Sequence, residues 1–384
     1  MGRYCELENE THWEADVVHT SDQSGQPRRR TLPSKLAEHP SVQAVLARRD
    51  AEEAASNPPA VIDAAWLREL CLRAGADDAA AVSLDHPDLA GERAYAIEAM
   101  PGSRTLISLV VRMNRESYRS TARSVANHEF HLADDEVNHA ARMIAQGLED
   151  AGYRALNPAA GFPQEMDRFP GRIWVVAHKT VAVAAGLGVM GINRNVIHPK
   201  YGNFILLATV LVDAEVSDYA EPLDYSPCVD CKLCVAACPV GAIGKEGDFD
   251  FFACMTHNYR EFMSGFTEWA QTVADAEDAS DFRAQVTDSE NASMWQSLAF
   301  RPSYKSGYCL AVCPAGEDVL GPYLEDRKQY MDTVLRPLQD KQETLYVLPG
   351  SHAQEYAQRR YPHKPVKEVS GGWQPPVPKR EGDS

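Results

Sequence analysis

Apolar residues recur at helical spacing in "DAAWLRELCLRAGA", where Trp66, Leu67, Leu70 and Cys71 share one face and Gly75 suits the end of the helix. Cys71 is thereby read as a core residue rather than a reactive one. Two later stretches behave differently. "TLISLVVRM" (Thr105 to Met113) and "FILLATVLVD" (Phe204 to Asp213) are continuous runs rich in β-branched residues and predict strands. Between them a periodic segment from about Arg119 to Ala151 predicts a long helix, with Phe130, Val137, Ala141, Ile144 and Leu148 as its apolar stripe. Strands alternating with helices predict an α/β layer.

The same pattern divides the chain. Residues 1–58 are polar and aperiodic, ending in "SNPPA", and are read as an irregular extension. Residues 59–220 carry the α/β pattern. At Tyr225-Ser226-Pro227 the character changes, and 221–325 form a cysteine-bearing region interrupted by an acidic, helical insertion over 255–305. Residues 326–384 are read as one more helix and a tail rich in Pro, Gly and Lys. No internal repeat is present.

Composition narrows the class. With 384 residues, 44% hydrophobic and 24% charged, the chain suits a globular protein with a sizeable core. Its formal net charge of −17 disfavours a nucleic-acid partner. The densest basic run, "RRYPHKPVK", lies near the C-terminus. No run of about 18 apolar residues could span a membrane. The first residues lack an apolar signal segment. "RRRTL" (Arg28 to Leu32) is followed by charged residues rather than by the apolar stretch of an export signal. The expectation is a cytoplasmic protein with no membrane association. In a reducing compartment, clustered cysteines are read as metal ligands. Of nine cysteines, seven lie between Cys228 and Cys313, and only Cys5 and Cys71 stand outside.

"CVDCKLCVAACP" is C-x2-C-x2-C-x3-C-P, the bacterial ferredoxin run whose fourth cysteine serves the other cluster. Three close thiols wrap three corners of a cubane, and Pro239 redirects the chain after Cys238. Zinc ribbons instead pair two separated C-x2-C units. Cys313-Pro314 mirrors Cys238-Pro239, so the first cluster is assigned to Cys228, Cys231, Cys234 and Cys313. The second would use Cys238, Cys254 and Cys309, with Ser306 where a fourth cysteine would stand. A serine there leaves several readings open: an alkoxide-ligated 4Fe-4S cluster, a 3Fe-4S cluster, a corner open to another group, or no second cluster.

Two other motifs carry less. "GLGVMG" matches G-x-G-x-x-G, but "HKTVAVAA" before it is helical and "INRNVIHPKYGN" after it cannot open a helix, so a dinucleotide site is not expected. These glycines are read as ending a helix and letting the backbone approach something flat. "HEFHLADDEVNH" puts His128, His131, Asp135 and His139 on one helix face, read as a solvated or cleft-facing surface rather than a metal site.

"AGLGVMGINRNVIHPKYGNFILLATVLVD", followed by "PCVDCKLCVAACPVGAI", a lone "AC" and a final "CLAVCP", resembles the reductive dehalogenase and epoxyqueuosine reductase superfamily. The resemblance runs from about Val61 to Pro322. It implies a nitroreductase-like α/β (α+β) domain holding base-off cobalamin, followed by a two-cluster ferredoxin-like domain that feeds it electrons. Carried over, Gly186, Gly188, Gly191, Asn193, His198, Tyr201, Gly202 and Asn203 would line the corrin. The dehalogenase acid is a tyrosine near a basic residue. Tyr118, Tyr153 and Tyr201 are candidates, with Lys179, His178 or Lys200 beside them; Tyr201, Tyr153 and Lys179 are preferred. Epoxyqueuosine reductases carry an aspartate about a dozen residues before the AGLG turn, where this chain has "GRIWVVAHKTV" and Arg172. The resemblance therefore implies an oxidoreductase acting on a small organic substrate, with a ferredoxin- or flavodoxin-type electron donor. A non-catalytic, corrinoid-reducing electron carrier and an epoxyqueuosine-type tRNA-modifying enzyme are the alternatives.

Overall fold

The computed structural model describes residues 34–52, 58–168 and 171–369, in two units, Met1–Asn57 and Pro58–Ser384. Cys5, the "RRRTL" run and the tail beyond residue 369 lie outside the described residues. The first unit holds helices α1 (Ser34–Ala37) and α2 (Pro40–Glu52). This corrects the expectation of a wholly irregular extension. Pro40 begins α2, where a missing N–H costs nothing, and Gln43, Ala44, Leu46 and Ala47 are good helix formers.

The second unit opens with β1 (Val61–Ile62) and α3 (Ala64–Arg73). The Asp63 carboxylate caps α3 by accepting the Trp66 N–H at 2.8 Å. There follow β2 (Asp78–Ser83), α4 (Ala90–Ala99), β3 (Thr105–Arg112), α5 (Arg115–Arg119), α6 (Arg123–Asp150), β4 (Ala155–Leu156), α7 (His178–Ala184), β5 (Val189–Met190), β6 (Val196–Ile197), β7 (Ile205–Val212) and β8 (Glu215–Val216). The main sheet has the order β2-β3-β7-β4, with every pair antiparallel. An antiparallel sheet leaves no place for a dinucleotide fold around "GLGVMG".

Both faces of this sheet are covered. Ile107, Leu109 and Val111 of β3, with Ala208, Val210 and Val212 of β7, meet α3 and α6. Leu106 and Leu211 turn the other way onto Val181 and Ala184 of α7. Burial on both faces is why these strands read as unbroken apolar runs. The long helix is split: Ser120 and Ala122 are extended and separate α5 from α6. Its stripe is buried as expected at Val137, Ala141, Ile144 and Leu148, whereas Phe130 leaves it. At that end the helix runs beyond the strands, and Phe130 meets Tyr304 edge-on, centroids 5.0 Å apart.

The cysteine region begins with α8 (Leu233–Ala237) and α9 (Phe251–Asn258). The insertion folds as α10 (Ser264–Asp275), α11 (Ala279–Gln285) and α12 (Asp288–Phe300), the last opened by a capping box between Thr287 and Glu290. Then come α13 (Tyr308–Ala311), α14 (Glu317–Glu325), α15 (Arg327–Tyr330) and α16 (Arg336–Asp340). Beyond them the chain does not simply end in a helix and tail. β9 (Leu345–Val347) pairs in parallel with β10 (Val366–Glu368), and α17 (His352–Arg360) lies between them in sequence. Leu345, Val347, Ala353, Ala357 and Tyr361 are buried against Cys238 and Val240. The four-residue spacing of Ala353, Ala357 and Tyr361 gives α17 the apolar face that docks there.

Candidate metal centre

Two left-handed residues shape the first thiol loop: Asp230 (φ 50°) and Lys232 (φ 62°) turn the chain between Cys228 and Cys234. Cys313, arriving from the end of α13, joins these thiols. Cys228, Cys231, Cys234 and Cys313 line one small cavity together with Ile197 and Pro314. The backbone N–H groups of Leu233, Val235 and Ala315 face the sulfurs of Cys231, Cys234 and Cys313 respectively. Burial pushes the Cys234 thiol up to about 12, and the neighbouring thiols add to the rise. Only a bound cation would make this set of thiolates favourable.

Cys238, Cys254 and Cys309 form a second set. The Ala242 N–H donates to Cys238 Sγ at 3.2 Å, and the N–H groups of Val240, Gly241 and Ile243 also face that sulfur. Gly241 (φ +64°) is required here: a Cβ would stand 2.6 Å from the Tyr356 ring of α17. Burial raises Cys254 and Cys309 to about 12 each, and the set's own members raise them further. Ser306 is carried to the end of the helix that bears Cys254, where its N–H donates to Asn258 Oδ1 at 2.9 Å. Among the described residues, no three His, Cys, Asp or Glu side chains converge on a point suited to one metal ion. On the His128 face, His131 Nε2 bonds the Pro302 carbonyl at 2.8 Å and Asp135 pairs with Arg301 at 2.8 Å.

Around the second set the α/β layer supplies polar groups. Asn193 Nδ2 donates to the Cys309 carbonyl at 3.1 Å. Lys179 Nζ donates to the Arg194 carbonyl at 2.8 Å and to Asn195 Oδ1 at 2.9 Å. Desolvation lowers the Lys179 pKa, against the opposing pull of Cys309 and Cys254 thiolate charge. Lys179 thus stands beside the second set, as a charge near a redox site would.

The other preferred catalytic residues are placed elsewhere. Tyr153 donates its phenol to the Pro59 carbonyl at 3.0 Å and packs with α3 and α6, on the sheet face opposite α7 and Lys179. That geometry corrects its grouping with Lys179. Tyr201 stacks on His198, centroids 4.9 Å apart, and borders a cleft of about 350 Å³ with Phe204, Arg115 and Asp318. His198 itself is consumed: Nε2 donates to Asp78 at 3.1 Å, while Nδ1 accepts the N–H groups of Lys200 and Tyr201. Burial alone would raise the Asp78 pKa, but hydrogen bonds from His198 and Arg68 and the Arg68 charge hold it below the usual range.

On the side where a Cβ would stand, the glycines approach the chain's own atoms. A Cβ at Gly186 would meet the Glu221 carbonyl, one at Gly188 the Ile197 carbonyl, and one at Gly191 the Ile197 side chain. Gly202 touches the Ala315 backbone, and with the bonds Glu317 N–H to Pro199 O and Asp318 N–H to Lys200 O it sews the His198–Asn203 loop onto the segment after Cys313. Asn203 alone is left over: it is 1% exposed, and both amide atoms lack a partner among the described residues. Buried amides without partners are rare. Tyr259 and Tyr304 were not legible from spacing. Burial raises both and Tyr118 as well; Tyr118 feels the Cys309 charge and Tyr259 that of Cys254, while Tyr304 packs edge-on to Tyr259, centroids 5.7 Å apart.

The first thiol loop belongs to a ferredoxin-type segment: a 4Fe-4S binding domain model matches residues 221–244. Curated relatives extend the match. An epoxyqueuosine reductase of Cyclobacterium marinum is 33% identical over 98 residues, 24% of this chain and 31% of that protein. One from Cellulophaga algicola is 24% identical over 162 residues, 40% of this chain and 48% of that protein. The chain thus spans about a third to a half of the length of these relatives. Among solved structures, epoxyqueuosine reductase from Streptococcus thermophilus aligns at a TM-score of 0.39 and 15% identity, covering 77% of this chain and 80% of that one. The catabolic reductive dehalogenase NpRdhA aligns at 0.41 and 14%, covering 71% and 34%. Over part of its length the chain is thus similar to curated epoxyqueuosine reductases.

Proposed function

We propose that the protein is an iron-sulfur oxidoreductase that takes electrons in at Cys228, Cys231, Cys234 and Cys313 and delivers them at Cys238, Cys254 and Cys309, with Ser306 at the fourth corner. Bound there, clusters would supply one-electron transfer. The observation that carries this reading is the arrangement of the two thiol sets. Cys234 of the first feels the charge of Cys309 of the second. Cys228 and Cys231 are partly exposed, which suits an outside donor such as a ferredoxin or flavodoxin. Lys179 and the phenols of Tyr118 and Tyr259 stand at the other end. Burial keeps these phenols protonated but makes them weak acids, so a proton passed to a reduced product would need the help of a nearby cation, the role Lys179 would fill.

The reading favours a small organic substrate. Arg172, near the position of the epoxyqueuosine reductases' aspartate, is taken up by a buried pair with Glu92 and lies 4.0 Å over the Tyr95 ring. Within "RRYPHKPVK", Lys364 is buried and paired with Glu343 and Lys367 is paired with Glu290, which leaves Arg359 and Arg360 as its exposed cations. Cobalamin is implied by the resemblance; among the described residues His198 is held by Asp78 and its own loop and the buried Asn203 amide is unpaired, and no step is derived through a corrin. The curated matches favour a second reading, epoxyqueuosine reduction, and queuosine restored in a strain lacking its own reductase would establish it. A third, electron transfer to a corrinoid partner, would appear as reduction of that partner without turnover.

The test is iron, sulfide and cobalt content of anaerobically purified protein, with paramagnetic resonance. Roughly eight irons per chain, or seven for a 3Fe-4S second site, supports the reading. Roughly four irons would remove the second site, and none would refute both.

A further inference from the structure

Next to the second thiol set lies a cavity of about 30 Å³ that the thiols themselves do not use. It is bounded by the start of α6, the loop before α13, and α16. Its lining includes Arg123, Lys305 and Lys341 and no carboxylate. Gly307 and Tyr308, which immediately precede Cys309, form one wall. Glu261, 3% exposed, binds Arg123 and, at 2.8 Å, Lys305. Lys341 reaches a carboxylate only at the limit of ion-pair distance. Its nearest carboxylate, Glu343, is 4.0 Å away and already holds Lys364 at 2.9 Å and the Tyr308 phenol at 2.8 Å. Four cations therefore face two carboxylates, while the adjoining Arg260–Glu268 and Lys367–Glu290 pairs are neutral. In a chain of net charge −17 this is a local excess of positive charge in a partly desolvated place. Such an excess is costly without a counter-ion. Tyr118 and Tyr304 also line the cavity, and neither hydroxyl has a hydrogen-bond partner among the described residues.

We propose that this cavity is an anion site beside the second thiol set, binding a halide-sized inorganic anion or the carboxylate of a substrate. Size decides between an ion and a whole molecule: the space is of the order of one or two waters, too small for an aromatic ring. The site deepens the proposed function, since an anion bound here would lie against the residues flanking Cys309. Its occupancy, however, does not require iron.

The test is calorimetric titration with sodium bromide, sodium formate and sodium benzoate at constant ionic strength in gluconate, with iron content measured on the same sample. Saturable one-to-one binding of bromide and formate is expected. It should weaken by about tenfold or more in Lys341→Gln and in Lys305→Gln, and persist in Lys341→Arg. Benzoate that binds more tightly than formate and competes with bromide identifies a substrate carboxylate; exclusion of benzoate identifies an inorganic anion. Absence of saturable binding, or binding that is indifferent to both glutamine variants, overturns the proposal. Anion binding by a protein that cannot hold iron would instead refute the electron-transfer reading and leave the anion site standing.

Discussion

Gly202 and Gly350 make a matched pair for asking what holds the first thiol set in place. Both are left-handed, at φ +63° and +66°. An alanine in that region costs about 1–2 kcal/mol. At Gly350 a new Cβ meets nothing within 4 Å, so Gly350→Ala should cost only that. At Gly202 the Cβ would lie 1.8 Å from the Ala315 carbonyl oxygen. That oxygen belongs to backbone braced by two bonds across the same seam, Glu317 N–H to Pro199 O and Asp318 N–H to Lys200 O, so it cannot swing aside as a side chain could. Forced overpacking adds about 1–3 kcal/mol, for a total of roughly 2–5 kcal/mol in Gly202→Ala. Ala315 lies two residues after Cys313, so movement of the seam displaces that thiol. The assay is urea unfolding followed by circular dichroism, with iron per chain and resonance spectra of each variant. Gly202→Ala should unfold at clearly lower urea than Gly350→Ala and lose the first cluster's signal before the second's. Equal midpoints and full iron in both variants would refute the reasoning, because the seam would then be yielding rather than braced.

Ser306→Cys should convert or tighten the second site and leave the first unchanged; an unaltered resonance spectrum would mean that position 306 is not at the cluster. Lys179→Gln should lower the midpoint potential of the second cluster, on the order of 50 mV, by removing a cation beside Cys309 and Cys254, and a potentiometric titration indistinguishable from wild type would dismiss that role. His257 is fully buried, and desolvation pulls its pKa from 6.5 down to about 4. The unfolded chain therefore takes up this proton first, so the stability from neutral His257 is complete above about pH 6.5 and is lost as pH falls toward 4, about 3 kcal/mol in all. Urea midpoints should drop across that window and drop less in His257→Gln; parallel pH profiles would count against it.

Much of the architecture was legible because burial on both faces writes strands as continuous apolar runs. Thr105–Arg112 and Ile205–Val212 could be read that way, and Val137 to Leu148 declared their helix face by period alone. The break at Ser120–Ala122 and the fate of Phe130 could not, since both depend on where the helix outruns the sheet. Thiol spacing identified Cys228, Cys231, Cys234 and Cys238 locally. Their partners had to be inferred by symmetry of motif, and the fold places Cys313 with the first three and Cys254 and Cys309 with Cys238.

What the sequence determined by itself is therefore the local chemistry: which residues can ligate, where the chain turns, and which runs must be buried. These follow from the spacing of neighbours along one chain. Tertiary structure alone decided what the glycines approach, that Tyr153 and Lys179 stand on opposite sheet faces, and that Tyr118 and Tyr259 stand near one thiol set. It also decided that Arg123, Lys305 and Lys341 share one cavity. Such groupings join residues far apart in sequence, and no local propensity or period encodes a distance between them.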